Sequence, residues 1–80
     1  MKTNDIKKGM RILTSNGWFG TMYDNKKGNT RMAEIEGIYT EIGSIYAWDI
    51  VQVLIGDTWE NIELTPKQIK DRDSIKKMGF

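Results

Sequence analysis

Along the first two thirds of the chain, apolar residues come in short alternating runs divided by Gly, Asn and Asp. That is the pattern of brief, half-buried strands joined by turns. Gly9 to Thr14 is predicted as a first strand, and Asn16-Gly17 is the dipeptide favoured where a tight hairpin turn needs positive φ. Trp18 to Asp24 returns as the second strand, and Asn25-Lys26-Lys27-Gly28-Asn29 forms a polar loop. In Thr30 to Glu36, Arg31, Ala33 and Ile35 alternate with Met32, Glu34 and Glu36, so one of the two sets faces inward. Ala33 and Ile35 are assigned to the core. Gly37 to Gly43 reads as a turn-rich connection, Ser44 to Ala47 as a fourth strand and Trp48-Asp49-Ile50 as a single helical turn. Val51 to Ile55 and, after Gly56-Asp57-Thr58, Trp59 to Leu64 complete the series. Five or six short strands with such regular turn signals predict a mainly β fold, a small closed barrel that leaves no sheet edge open.

The character changes at Thr65-Pro66-Lys67-Gln68. Thr caps, Pro suits the first helical position, and Gln stands where a capping box requires it. A C-terminal α-helix is expected from Pro66 to about Met78, ended by Gly79. Its apolar residues Ile69, Ile75 and Met78 do not form one stripe, which predicts a short or only partly docked helix. The expected organisation is one domain, with a barrel over residues 1–64 and a basic helix over 65–80.

The chain has 80 residues, 39% of them hydrophobic and 29% charged, with no Cys and no His. Zinc fingers, disulfide frameworks, thiol nucleophiles and imidazole-based catalysis therefore drop out together. Carboxylates such as Glu34, Glu36 and Asp49 leave acid–base chemistry conceivable, but no Asp-x-Asp or comparable metal-ligand spacing occurs. The expectation is a protein that is not an enzyme and needs neither metal nor cofactor. No signal peptide and no apolar run near the ~20 residues of a membrane span is present, so a soluble, cytoplasmic protein is expected.

The net charge of +1 conceals three blocks. Residues 1–31 carry +5, residues 32–64 carry −7 without a single Lys or Arg, and residues 65–80 carry +3. A basic face and an acidic face can therefore coexist. Lys7, Lys8, Arg11, Lys26, Lys27 and Arg31 come from the first three strands and their loops, with Trp18 among them. Cations beside an aromatic face suit phosphates and bases. Lys67, Lys70, Lys76 and Lys77 of the helix extend this candidate nucleic-acid surface. About five phosphate contacts would give a slope near −4.5 in log affinity against log salt on duplex DNA. The alternative partner is a protein, met by the acidic block with Glu34 and Glu36 and by an exposed Trp48 or Trp59.

The stretch Ile6-Lys7-Lys8-Gly9-Met10-Arg11-Ile12, a turn, then Gly17-Trp18-Phe19-Gly20-Thr21-Met22 resembles a KOW motif in an SH3-like barrel, with Gly9, Ile12 and Gly20 at the matching positions. Asp24 to Ala33 and Thr40 to Ile50 are similar to small proteins of tailed bacteriophages, the MotB-like transcription modifiers of T-even-type phages. The resemblance implies an SH3-like, KOW-type barrel that binds DNA with little sequence preference and modulates host or phage transcription in the host cytoplasm. The acidic middle block departs from a uniformly basic DNA-binding barrel.

Overall fold

The computed structural model describes residues 1–25 and 29–78. Lys26 and Lys27, from the candidate basic surface, and the expected stop at Gly79 lie outside the described residues. Six strands form one antiparallel sheet: β1 (Arg11–Thr14), β2 (Phe19–Asp24), β3 (Thr30–Glu36), β4 (Thr40–Tyr46), β5 (Ile50–Ile55) and β6 (Thr58–Asn61). Their spatial order is β4-β3-β2-β1-β5-β6. Two 3-10 turns, Thr3–Asp5 and Ala47–Asp49, and the helix α1 (Pro66–Lys77) complete the chain. The mainly β architecture with a C-terminal helix is as the sequence predicts. The closure is not: the sheet is open, with β4 and β6 as its two edges.

Alternation sets the inner face. Ile12, Met22, Ala33, Ile35, Ile50 and Val53 point into one core with Ile6, and Ile45, Ile55 and Ile62 pack against it. Two irregularities curl the sheet around these residues, one between Leu13 and Thr14 and one at Tyr23, where β2 carries an extra residue opposite β3. Such bulges increase local twist. At Gly20 the neighbouring strand comes so close that a Cβ would stand 2.7 Å from the Glu34 carbonyl oxygen, so only glycine fits there.

Several boundaries shift for physical reasons. The first hairpin has three loop residues, Ser15 to Gly17, because only Gly17 takes positive φ, at 83°. Gly17 N–H donates to the Thr14 carbonyl at 2.9 Å, a turn followed by one left-handed residue. Thr40 to Gly43, expected as connection, belongs to β4, because it pairs in unbroken register with Glu36 to Ala33. The 3-10 turn begins one residue earlier than predicted, at Ala47. β6 ends at Asn61, and Glu63 then meets Lys2 in a parallel bridge. The capping box at Thr65 is present: Gln68 N–H donates to Thr65 Oγ1 at 3.1 Å, and Thr65 N–H donates to Gln68 Oε1 at 2.9 Å. The helix turns Gln68, Asp71, Arg72 and Ile75 inward at helical spacing, while Ile69 and Met78 stay exposed. It docks by a largely polar face.

Arg31 follows the inward parity of Ala33 and Ile35 and is 2% exposed. Its Nε donates to Asn25 Oδ1, its Nη2 to Asn4 Oδ1 at 2.6 Å and its Nη1 to the Thr30 carbonyl at 3.3 Å. Asn25 Nδ2 in turn donates to the Thr3 and Ile6 carbonyls, both at 2.8 Å. Burial lowers the Arg31 pKa from the ordinary arginine value. Arg31→Ala strips oxygens of a charged donor inside the fold, and a loss of about 3 kcal/mol is expected in urea denaturation. A variant as stable as the parent would contradict this role.

Candidate binding surface

The outer face of the sheet carries Arg11 and Glu36 from β1 and β3. The two pair through both guanidinium nitrogens, Nη2 to Oε1 at 3.2 Å, and Arg11 Nη1 also reaches Thr21 Oγ1 at 3.2 Å. The hydrogen bond from Arg11 holds the Glu36 carboxyl below the ordinary glutamate range, and Glu36 raises the pKa of Arg11. Both side chains are exposed, so the pair orients charge more than it stabilises the fold.

The candidate basic surface does not assemble as one stripe among the described residues. Arg11 lies on the outer face in its ion pair, and Arg31 lies on the inner face inside the Asn25–Asn4 network. Lys7 and Lys8 are exposed at the turn before β1, with Lys8 Nζ 4.8 Å from the Tyr23 ring centroid. Lys67 pairs with Asp71 at 2.7 Å, while Lys70, Lys76 and Lys77 are exposed along α1.

The three tryptophans differ in exposure. Trp48, a candidate anchor, is only 7% exposed, because the 3-10 turn carries it beneath α1 and Tyr46 stacks on it at 4.8 Å. Trp59 is half-buried, its ring 5.5 Å from Phe19. Trp18, assigned to the basic set, is the exposed one at 45%. A Cβ on Gly37 would lie 2.9 Å from its ring, so the ring rests directly on the Gly37 backbone.

Trp18 borders a groove of about 350 Å³ at the open side of the sheet. One wall is the β1–β2 turn joined to the second 3-10 turn: Ser15 N–H donates to the Asp49 carbonyl at 2.7 Å and Ser15 Oγ to the Asp49 carboxylate at 3.3 Å. The other wall is β4, from Glu41 to Ile45, and Ile35 reaches it from the core. Ile38 and Tyr39, at the tip of the β3–β4 hairpin, border it and are 85% and 79% exposed. Among the described residues, the ionisable side chains of the lining are Glu41, Asp49 and Tyr39, with no cation. Glu34 and Glu36 are exposed on the opposite, outer face of β3. Ile38, Tyr39 and Glu41 are not among the candidate site residues, and Asp49 is among them only as a conceivable acid–base carboxylate. Their common signal is membership of the cation-free block.

No protein-family model matches the chain, and neither the curated proteins nor the solved structures yield a significant match. Among the described residues no helix is long and apolar enough to cross a membrane.

Because the folded Glu36 has the lower pKa, the unfolded chain takes up its proton first as pH falls. The pair's contribution is therefore present above the unfolded glutamate value of 4.5 and is lost as pH drops through the lower folded value. Glu36→Gln should flatten the fall in stability below about pH 5 in urea midpoints measured across a pH series. Parallel acid limbs for the two proteins would exclude this linkage.

Proposed function

We propose that the protein is a non-enzymatic interaction module that binds a protein partner through its acidic and aromatic face. One observation carries this: Trp18, packed against Gly37, stands with the exposed Ile38 and Tyr39 beside a groove whose carboxylates are Glu41 and Asp49. Exposed large apolar side chains grouped at a concavity are what interface anchors look like, and aromatic rings supply much of the energy of such contacts. The anchors differ from Trp48 and Trp59, but the acidic segment is the same. A phage-type effector built this way would act by occupying a surface of a host or phage protein, including one that serves transcription.

A second function, weak DNA binding without sequence preference, is favoured by the exposed Lys7 and Lys8, with Lys8 over the Tyr23 ring. The ion pairing of Arg11 and the burial of Arg31 reduce the cations available to it. Against the protein-binding face, the carboxylates of the groove would repel phosphates.

Pull-down from a bacterial lysate separates the two. Capture should survive nuclease treatment and fall at least tenfold for the Trp18→Ala/Tyr39→Ala double variant, as removal of two central anchors implies. Capture abolished by nuclease, or lost on Lys7→Ala/Lys8→Ala substitution while the aromatic variant binds normally, would favour the nucleic-acid function.

A further inference from the structure

We infer that the open edge of β4 takes up an extended segment of a partner protein as a seventh strand, one in which Arg or Lys alternates with apolar residues. The inference rests on the protein-binding function proposed above and specifies its partner.

The edge is available. Ala47 N–H donates to the Asn29 carbonyl at 2.8 Å, and the register pairs Thr30 with Tyr46 and Arg31 with Ile45. In an antiparallel ladder hydrogen-bonded and non-hydrogen-bonded pairs alternate. Residues 41, 43 and 45 therefore bond to β3, and residues 40, 42, 44 and 46 turn their N–H and C=O groups to the open side. Natural edges are commonly blocked by Pro, Lys or an inward-pointing charge. β4 has neither Pro nor Lys, and its single charge, Glu41, points inward on the groove side, so it blocks the edge only to a strand that brings no cation to meet it.

That charge selects the occupant. Glu41 has no hydrogen-bond or ion-pair partner among the described residues, and Asp49 faces the same groove with only Ser15 bound to its carboxylate. A strand laid along β4 would place a residue opposite Glu41 in a non-hydrogen-bonded pair, where side chains approach most closely. A cation there meets Glu41 and Asp49, and a guanidinium can also lie on the exposed Tyr39 or Trp18 ring. The intervening residues fall on the outer face beside Ile42 and Tyr46, both exposed and apolar. A Cβ on Gly43 would meet nothing within 4 Å, so the groove is open above it. A second copy of β4 would bring no cation, since residues 32–64 contain none. A nucleic acid would bring phosphates to two carboxylates.

The test is an amide NMR titration of the full chain with a capped nonapeptide of alternating Arg and Val. Saturable shifts are expected at Thr40, Ile42, Ser44 and Tyr46 and at the Trp18 indole. Affinity should fall about tenfold or more for Glu41→Lys, for Gly43→Leu, which fills the groove at a position with room for a side chain, and for a peptide N-methylated at each Val. Unchanged circular dichroism would show that the variants fold. The proposal is overturned by equal binding of the matching Glu–Val peptide, by undiminished binding of the N-methylated peptide, by absence of saturable shifts, by self-association through β4, or by a single-stranded oligonucleotide shifting the same amides. Failure of the peptide with Trp18- and Tyr39-dependent capture retained overturns this inference alone; loss of both overturns the proposed function as well.

Discussion

A guanidinium that folding takes out of water needs oxygen acceptors at fixed positions, because an unmet one costs several kcal/mol. Arg31 meets that requirement with Asn25, Asn4 and the Thr30 carbonyl. Asn25 does two things at once, accepting from Arg31 and donating to the Thr3 and Ile6 carbonyls. The N-terminal turn is thereby drawn onto the end of the sheet, where Thr3 is buried and its hydroxyl reaches the Ala47 carbonyl at 3.3 Å. With Ala47 N–H bound to the Asn29 carbonyl, that end of the structure becomes a single polar assembly linking β3, the N-terminus and the second 3-10 turn.

Among the described residues, the opposite end of β4 has no such lock. The first hairpin turn binds the 3-10 turn through Ser15 and Asp49, but no ladder carries it across to β4. The two bulges bend the sheet toward closure and stop short of it. The space left over is the groove. Its apolar base is continuous with the core through Ile35 and Ile45, whereas its mouth is acidic. An opening of this kind exposes hydrophobic surface that a closed barrel would bury.

Much of the fold was legible because it rests on local rules. The inward pair Ala33 and Ile35 followed from alternation, and the helix start followed from Thr65, Pro66 and Gln68. The same alternation put Arg31 inward, but judged by its charge it looked like a surface contact. Parity prevails there because Asn25, across the loop before β3, and Asn4, distant in sequence, supply the acceptors. Gly37 and Gly43 made residues 37–43 read as a turn, whereas register with β3 keeps Gly43 in the strand; glycine weakens a strand's local signal without forbidding the pairing. The groove had no local signature at all. Its lining comes from the first hairpin, β3, β4 and the second 3-10 turn, which only the folded sheet brings together. Nor does sequence alternation distinguish Trp48 from Trp18, since one sits in a 3-10 turn under the helix and the other on a hairpin end.

The lack of Lys and Arg through the middle of the chain also has a consequence for its chemistry. There is no primary amine between residues 32 and 64, so acylating reagents and amine-directed cross-linkers act elsewhere on the molecule and leave the groove walls unmodified. Trypsin, which cleaves after Lys and Arg, likewise finds no site from Met32 to Pro66. A complete digest releases β4, β5 and β6 together in a single peptide, carrying Glu41, Asp49 and two of the three tryptophans.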